Sequence, residues 1–70
     1  MHRFYADECG VADGMARLAD EDARHALRVL RLGEGDEIEL IAPPQRFLAR
    51  IERADEAGVL ESAQQPLPPT

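Results

Sequence analysis

Hydrophobic and polar residues alternate along several short stretches of the chain, with the period of two that is typical of β-strands. In residues 46–53, RFLARIER, the side chains of Phe47, Ala49 and Ile51 fall on one face and charged residues on the other. The same pattern, bounded by turn residues, predicts strands at residues 2–6, 15–19, 37–42 and 59–63. We therefore expect five strands, each with one buried face.

Residues 20–32 follow a different period. Apolar side chains recur there at intervals of three and four residues, at Ala23, Ala26, Leu27 and Leu30, which predicts one buried helix face. Three acidic residues open the segment, where negative charge complements a helix N-terminus. We expect the helix to end at Gly33 in the left-handed conformation that glycine favours.

The predicted order of elements is β-β-α-β-β-β, which makes the chain mainly β with one helix. Short strands separated by glycine and proline turns favour a small, partly closed β-barrel. Pro43 and Pro44 end the third strand, because proline cannot donate a hydrogen bond to a neighbouring strand. The proline-rich residues 66–70 predict an extended linker that follows a barrel of residues 1–65.

The composition limits the class of protein. The chain has 70 residues, enough for one small domain, and a formal net charge of −6. With 44% hydrophobic residues it is not typical of a disordered protein. It has one cysteine, no long apolar run and no secretory leader, so we expect a cytoplasmic protein without internal disulfides and without contact with a membrane.

Side chains suited to catalysis are few. His2, Cys9 and His25 are the candidate metal ligands or nucleophiles, and their spacing matches neither a zinc site nor a Cys–His pair. The glycines of residues 33–36, GEGD, follow the predicted helix, whereas those of a phosphate-binding loop precede one. We therefore predict no catalytic residue and no metal site in this chain.

The predicted helix carries a cluster of positive charge. On an ideal helix Arg24, Arg28 and Arg31 fall within about 60° of one another, with His25 beside them. Two interpretations are open. The arginines pair with acidic residues of the domain, as Asp20 and Arg24 are spaced to do, or they bind a polyanion from outside.

Two motifs resemble the ribosomal RNA small subunit methyltransferase E family: MHRF at residues 1–4 and HALRVLRLGEGDEIEL at residues 25–40. The resemblance implies a PUA-like β-barrel as the N-terminal domain of a longer enzyme. In that family a knotted SPOUT-class domain follows, which binds S-adenosylmethionine, forms the homodimer and methylates N3 of a uridine in 16S ribosomal RNA. The barrel helps to hold the RNA.

The resemblance also implies site residues. His25, Arg28 and Arg31 match the helix signature of the family, Gly35 and Asp36 match the turn that follows, and His2 and Arg3 match the opening. Arg24 lies outside the signature. The predicted RNA-binding residues are therefore His2, Arg3, His25, Arg28 and Arg31, followed by Arg24. Val29, Leu30 and Leu32 are expected in the core, Asp36 is expected to fix its turn, and an internal ion pair at Arg31 stays open.

The sequence departs from the family in places. Residues 40–47, LIAPPQRF, lack the aromatic-acid-glycine turn of the family, and Gly33 and Glu34 stand where relatives often carry lysine. The chain stops before the knotted domain, so we expect no cofactor in this chain, no methylation by it alone, and a monomer where the complete enzyme is a homodimer. The alternative function is a protein-interaction module whose arginine face docks on an acidic surface, such as that of its own catalytic domain.

Overall fold

The computed structural model describes residues 1–68, and five strands form about half of this part of the chain. They are β1 (Arg3–Tyr5), β2 (Met15–Arg17), β3 (Glu37–Ala42), β4 (Gln45–Asp55) and β5 (Gly58–Leu67). Between β2 and β3 the chain forms the helix α1 (Asp20–Arg24), which continues directly as a π-helical segment (His25–Val29). The predicted order β-β-α-β-β-β and the mainly-β class with one helix are confirmed.

The five strands form one mixed sheet in the order β1-β3-β4-β5-β2. β1 runs parallel to β3, and the other neighbours are antiparallel. The two outer strands of the sheet, β1 and β2, are joined just beyond their ends. Ala6 pairs with Leu18, and the N–H of Asp7 donates a hydrogen bond to the carbonyl of Arg17 at 2.8 Å. The sheet therefore curls into a small barrel that closes where β1 and β2 come together.

The core fills the inside of this barrel. Ile38 and Leu40 of β3 are completely buried, and Ala49 and Ile51 of β4 lie opposite and beside them, as the alternating pattern predicts. Phe4 of β1 completes this layer. Burying an aliphatic or aromatic side chain of this size contributes about 1.5–3 kcal/mol to stability, so these residues account for much of the driving force for folding.

The helical segment begins at Asp20 as expected but ends earlier than predicted. Ala23 and Ala26 are buried, and Leu27, Leu30 and Leu32 pack against the core. The helix ends at Val29, and Arg31, with φ 54°, adopts the left-handed conformation that we expected at Gly33. The prediction for Gly33 was wrong, because the N–H groups of Leu30 and Leu32 bond back to His25 and Ala26 and so close the helix two residues earlier.

Val29 does not belong to the core, although the sequence predicts it there. Its side chain is 64% exposed. From His25 onward the hydrogen bonds span five residues instead of four, as in the bond from Leu30 to His25 at 3.1 Å. This wider turn changes the direction of each later side chain relative to an α-helix, and it takes Val29 away from the barrel.

The last strand is longer than the sequence predicts. β5 continues to Leu67, beyond the predicted strand at residues 59–63, so it includes Pro66 and Leu67, which the proline content assigned to the linker. Leu67 pairs with Arg46 of β4, and the Arg46 guanidinium donates a hydrogen bond to the carbonyl of Pro68. Residues 69–70 of the predicted linker lie outside the described residues. The division into a barrel and a linker stays a prediction.

Candidate nucleic-acid interface

The helical segment presents three exposed arginines, but not on one continuous helix. Arg24 is the last residue of α1, and Arg28 lies in the π-helical segment. Arg31 lies beyond the helix in its left-handed conformation. The single stripe that ideal helix geometry predicts is therefore broken at its third member, although all three side chains reach solvent.

Arg24 and Arg28 come together on one side of the helix. They line an open groove of about 450 Å³ together with Leu27. The opposite wall is the turn between β4 and β5, where Asp55 and Glu56 also face the groove. The groove thus has an apolar wall at Leu27 and a mixture of charges around it.

The helical arginines lack carboxylate partners. None of Arg24, Arg28 and Arg31 forms an ion pair within residues 1–68, so the pair between Asp20 and Arg24 that the spacing suggests is absent there. Arg31 is exposed, which also removes the internal ion pair that the sequence left open for it. Other arginines do pair with acidic residues, namely Arg3, Arg46, Arg50 and Arg53. The three guanidinium groups are therefore free of direct ion pairs within the described residues, although Asp55 and Glu56 lie in the same groove as Arg24 and Arg28.

The two residues predicted at the chain start lie elsewhere in the fold. Arg3 Nε is 3.0 Å from Glu39 Oε2, and the same oxygen accepts a hydrogen bond from Arg46 Nη1 at 3.0 Å. His2 is exposed, and its ring centroid lies 6.3 Å from that of Phe4. Within residues 1–68 no hydrogen bond or ion pair joins these two residues to the helical arginines. Arg3 already has a carboxylate partner, unlike the arginines of the helix.

His25 lies next to Arg24, at the point where the α-helix becomes a π-helix, and its side chain is exposed. π-Helical turns occur often at functional sites. The structure therefore brings Arg24 and Arg28 to one groove, with His25 adjacent to them along the chain. It leaves His2 and Arg3 on β1.

The turn after the helix is held by Asp36, as expected. Its Oδ2 accepts a hydrogen bond from the N–H of Gly33 at 2.8 Å. Gly35 has φ 89°, a conformation that favours glycine, and its N–H donates to the carbonyl of Ile51 at 2.8 Å. Gly35 and Asp36 thus connect the helical segment to β4, which is a structural role.

Sequence reasoning did not single out Glu61, the one buried acidic residue of the described chain. It lies on β5 opposite Ile51 and Ala16, fully buried, and neither carboxyl oxygen has a hydrogen-bond partner. Burial raises the pKa of Glu61 to about 8, with a further rise from Asp7 and an opposing effect of Arg17. Its carboxyl group is therefore largely protonated at neutral pH. The alternation from Val59 to Glu61 was the sequence signal that points this side chain inward.

Within residues 1–68 no group of three or more His, Cys, Asp or Glu side chains is arranged to hold a metal ion. No helix in that range is both long and apolar enough to cross a lipid bilayer. The exposed guanidinium groups of the described surface are able to bind anions.

Comparison with known families identifies the domain. The sequence profile of the RNA methyltransferase PUA domain matches residues 18–59, which is more than half of the chain. The chain belongs to this family. The match includes all of the helical segment and its three arginines, and it ends just past the β4–β5 turn of this PUA domain.

A solved structure is similar to the PUA domain over almost its whole length. It is a Legionella pneumophila protein described as a methyltransferase, in complex with the bound cofactor SAM. The two chains are 25% identical with a TM-score of 0.74, and the match covers 93% of this chain. It covers 27% of that protein, so the PUA domain spans about a quarter of its length. No curated protein sequence matches the chain.

Proposed function

We propose that this PUA domain is the RNA-binding N-terminal part of a 16S ribosomal RNA uridine-N3 methyltransferase, and that it positions the RNA for a catalytic SPOUT domain. The observation that carries the proposal is the set of exposed arginines of the helical segment, which keep their charge unpaired in a chain of net charge −6. The family of the domain and the sequence motifs of residues 1–4 and 25–40 favour RNA as the polyanion.

The proposed contacts are to phosphate groups. A guanidinium group is planar and always charged, and it binds phosphate oxygens in pairs. Contacts of this kind fix the position of a nucleic acid without reading its sequence. Arg28 and Arg31 are the main candidates, since both match the family signature and both are exposed. Arg24 shares the groove of Arg28 and adds a third positive charge.

The cofactor of the proposed reaction belongs to the catalytic domain and not to this chain. Cofactor sites are concave, mostly apolar and enclose most of their ligand. The groove at Arg24 and Arg28 is open and lined mainly by charged side chains, so it does not fit S-adenosylmethionine. We therefore assign no step of methyl transfer to any residue of this chain. In the proposed enzyme S-adenosylmethionine binds to the catalytic domain, which also forms the homodimer.

A salt titration tests the proposal. A labelled 16S ribosomal RNA fragment is titrated with the chain at several salt concentrations, beside the variant Arg28→Ala/Arg31→Ala. Each lost phosphate contact lowers the slope of log affinity against log salt by about 0.7–0.9. Arg50→Ala is the control for the loss of a single surface charge, since this arginine already pairs with Glu52 at 3.2 Å. We expect weak binding by the double variant and near-normal binding by the control.

Two outcomes would contradict parts of the proposal. If the double variant binds RNA as tightly as the unchanged chain, the helical arginines do not contact RNA. A scrambled RNA of equal length tests the assignment of 16S ribosomal RNA as the substrate. Phosphate contacts alone do not distinguish the two RNAs, so equal binding of both by this chain would leave the choice of RNA to the catalytic domain. In the complete enzyme, loss of methylation of 16S ribosomal RNA in the double variant, with dimer and cofactor binding intact, is the expected result. Loosening of the contact between the domains instead would favour the docking module.

A further inference from the structure

We propose that Arg17 belongs to the same RNA-contact surface, and that the bound strand crosses the β4–β5 turn from the helical segment to the end of β2. This inference rests on the proposed function, since it names a further contact of the same site. Arg17 has no part in the sequence motifs that point to RNA. The structure places it next to the groove through the fold of the sheet.

The position of Arg17 follows from the pairing of β2 with β5. Arg17 pairs with Leu60, two residues after the β4–β5 turn ends at Gly58. A Cβ atom on Gly58 would lie 3.4 Å from Nη1 of Arg17, so the guanidinium group extends over the backbone of Gly58. Arg17 therefore reaches the β4–β5 turn.

The same glycine also lines a groove beside the helix. The other lining residues are Asp20, Ala23, Arg24, Leu27, Glu56 and Ala57. Gly58 thus lies beside the guanidinium of Arg17 and also borders the groove of Arg24. A nucleic-acid strand bound at this turn would therefore come close to both positive charges.

Arg17 has no carboxylate partner at ion-pair distance among the described residues. Its side chain is exposed. Glu61 lies close enough to feel its charge, but burial raises the pKa of Glu61 to about 8, so that carboxyl is mostly neutral at pH 7. Asp7 lines a pocket together with Arg17 but forms no ion pair with it, and its Oδ1 accepts a hydrogen bond from the N–H of Cys9 at 3.0 Å. The arginine therefore stays available to an anion from solution.

The acidic residues of the turn have different effects on this surface. Asp55 Oδ2 lies 3.5 Å from Arg53 Nε, and Asp55 Oδ1 accepts a hydrogen bond from the N–H of Ala57 at 2.9 Å. Glu56 faces the groove and forms no ion pair within the described residues. On the proposed path its carboxylate repels the phosphates, so Arg17 and Glu56 are expected to change the affinity in opposite directions.

The test is the same salt titration, applied to the whole chain with a labelled single-stranded fragment of 16S ribosomal RNA. Arg17→Ala is expected to weaken binding about tenfold and to lower the salt slope by about 0.7–0.9. Glu56→Gln is expected to strengthen binding about two- to fivefold. Arg17→Lys keeps the charge and restores most of the affinity, which separates the loss of a contact from misfolding. Arg50→Ala remains the control for a lost surface charge.

The outcomes separate this inference from the function on which it rests. If Arg17→Ala matches Arg50→Ala while Arg28→Ala weakens binding, the RNA follows the helix and the inference is overturned. If neither Arg17→Ala nor Arg28→Ala weakens binding, the proposed function fails as well. Unchanged or weaker binding by Glu56→Gln would also contradict a path across the turn.

Discussion

The carboxylate of Asp22 accepts a hydrogen bond from the backbone N–H of Tyr5 at 2.7 Å. The carbonyl of the same Tyr5 accepts one from the N–H of Ala19 at 3.0 Å. These two bonds hold the outer edge of β1 against the start of α1. No side chain caps this helix end, so Asp22 supports the first strand in addition to placing a negative charge in the first turn.

Asp22→Ala is therefore expected to destabilise the domain more than loss of a surface charge does. Without the carboxylate the Tyr5 N–H has only water as a partner, and we expect a loss of about 1 kcal/mol in the free energy of unfolding. Glu21→Ala removes a neighbouring exposed acid of the same turn and should change stability by less than about 0.5 kcal/mol. Urea denaturation measures both variants. Equal effects would show that the bond to Tyr5 contributes nothing beyond helix electrostatics.

Glu61 gives the domain a predictable pH dependence. Its pKa is raised to about 8 in the folded chain, above the ordinary value of 4.5, so folding takes up a proton between these two pH values. The free energy of unfolding therefore falls as the pH rises through this window, by up to about 1.4 kcal/mol per pH unit, and levels off above pH 8. Glu61→Gln removes this slope and is expected to stabilise the domain at pH 8.

Urea denaturation between pH 5 and pH 9 checks this expectation. Glu34→Gln is the control, because Glu34 is exposed and its replacement leaves Glu61 in place. The unchanged chain and the Glu34 variant should lose stability with rising pH, while the Glu61 variant should lose much less. An equal slope in all three proteins would mean that Glu61 is ionised in the folded domain.

Replacing glycine by alanine is expected to have opposite effects on stability at Gly58 and at Gly33, because of these two only Gly58 has a positive φ. Gly58 has φ 135°, which side-chain-bearing residues rarely adopt, so Gly58→Ala is expected to cost about 1–3 kcal/mol of stability. Gly33 has no positive φ, and a Cβ atom there would meet nothing within 4 Å. Gly33→Ala should leave stability unchanged or raise it by up to about 1 kcal/mol. Thermal denaturation of the two variants tests the difference, and a harmless Gly58→Ala would argue against the strained turn.

Two variants of Arg31 separate its effect on RNA affinity from its effect on the stability of the fold. Its left-handed φ of 54° disfavours any residue with a side chain, so Arg31→Gly should be about 1 kcal/mol more stable than Arg31→Ala. Both variants lose the guanidinium group, and we expect the same loss of RNA affinity in both. If the glycine variant binds RNA better than the alanine variant, the contribution of Arg31 to binding acts through stability and not through a phosphate contact.

The alternating pattern predicted much of the fold because each strand has one buried face. β3 has the predicted bounds, and Ile38 and Leu40 are buried as the period of two requires. The helix start was predictable from its acidic residues, whereas its end was not. The change to π-helical hydrogen bonds at His25 depends on how the segment packs on the barrel. The conformational preferences of single residues favoured Gly33, and not Arg31, as the left-handed residue that ends the helix.

The candidate site was predictable where its residues are close along the chain. Arg24 and Arg28 share one groove, as their spacing of four residues suggests. Arg17 was not predictable, because it lies against Gly58 only through the pairing of β2 with β5. These strands are far apart along the chain, and their local residue patterns do not show which strands pair. Glu61 was missed for a different reason: the alternation from Val59 places it on the buried face, but an acidic residue is rarely expected to be fully buried.

The meeting of β1 and β2 has a consequence for how the domain behaves at high concentration. An open sheet ends in strands whose free N–H and carbonyl groups can pair with a second molecule and start aggregation. Here the bridge between Ala6 and Leu18 and the bonds from Tyr5 to the helix occupy these groups at the outer strands. Within residues 1–68 these contacts reduce the unpaired strand backbone where β1 and β2 meet, which lowers the tendency of this edge to pair with a second molecule.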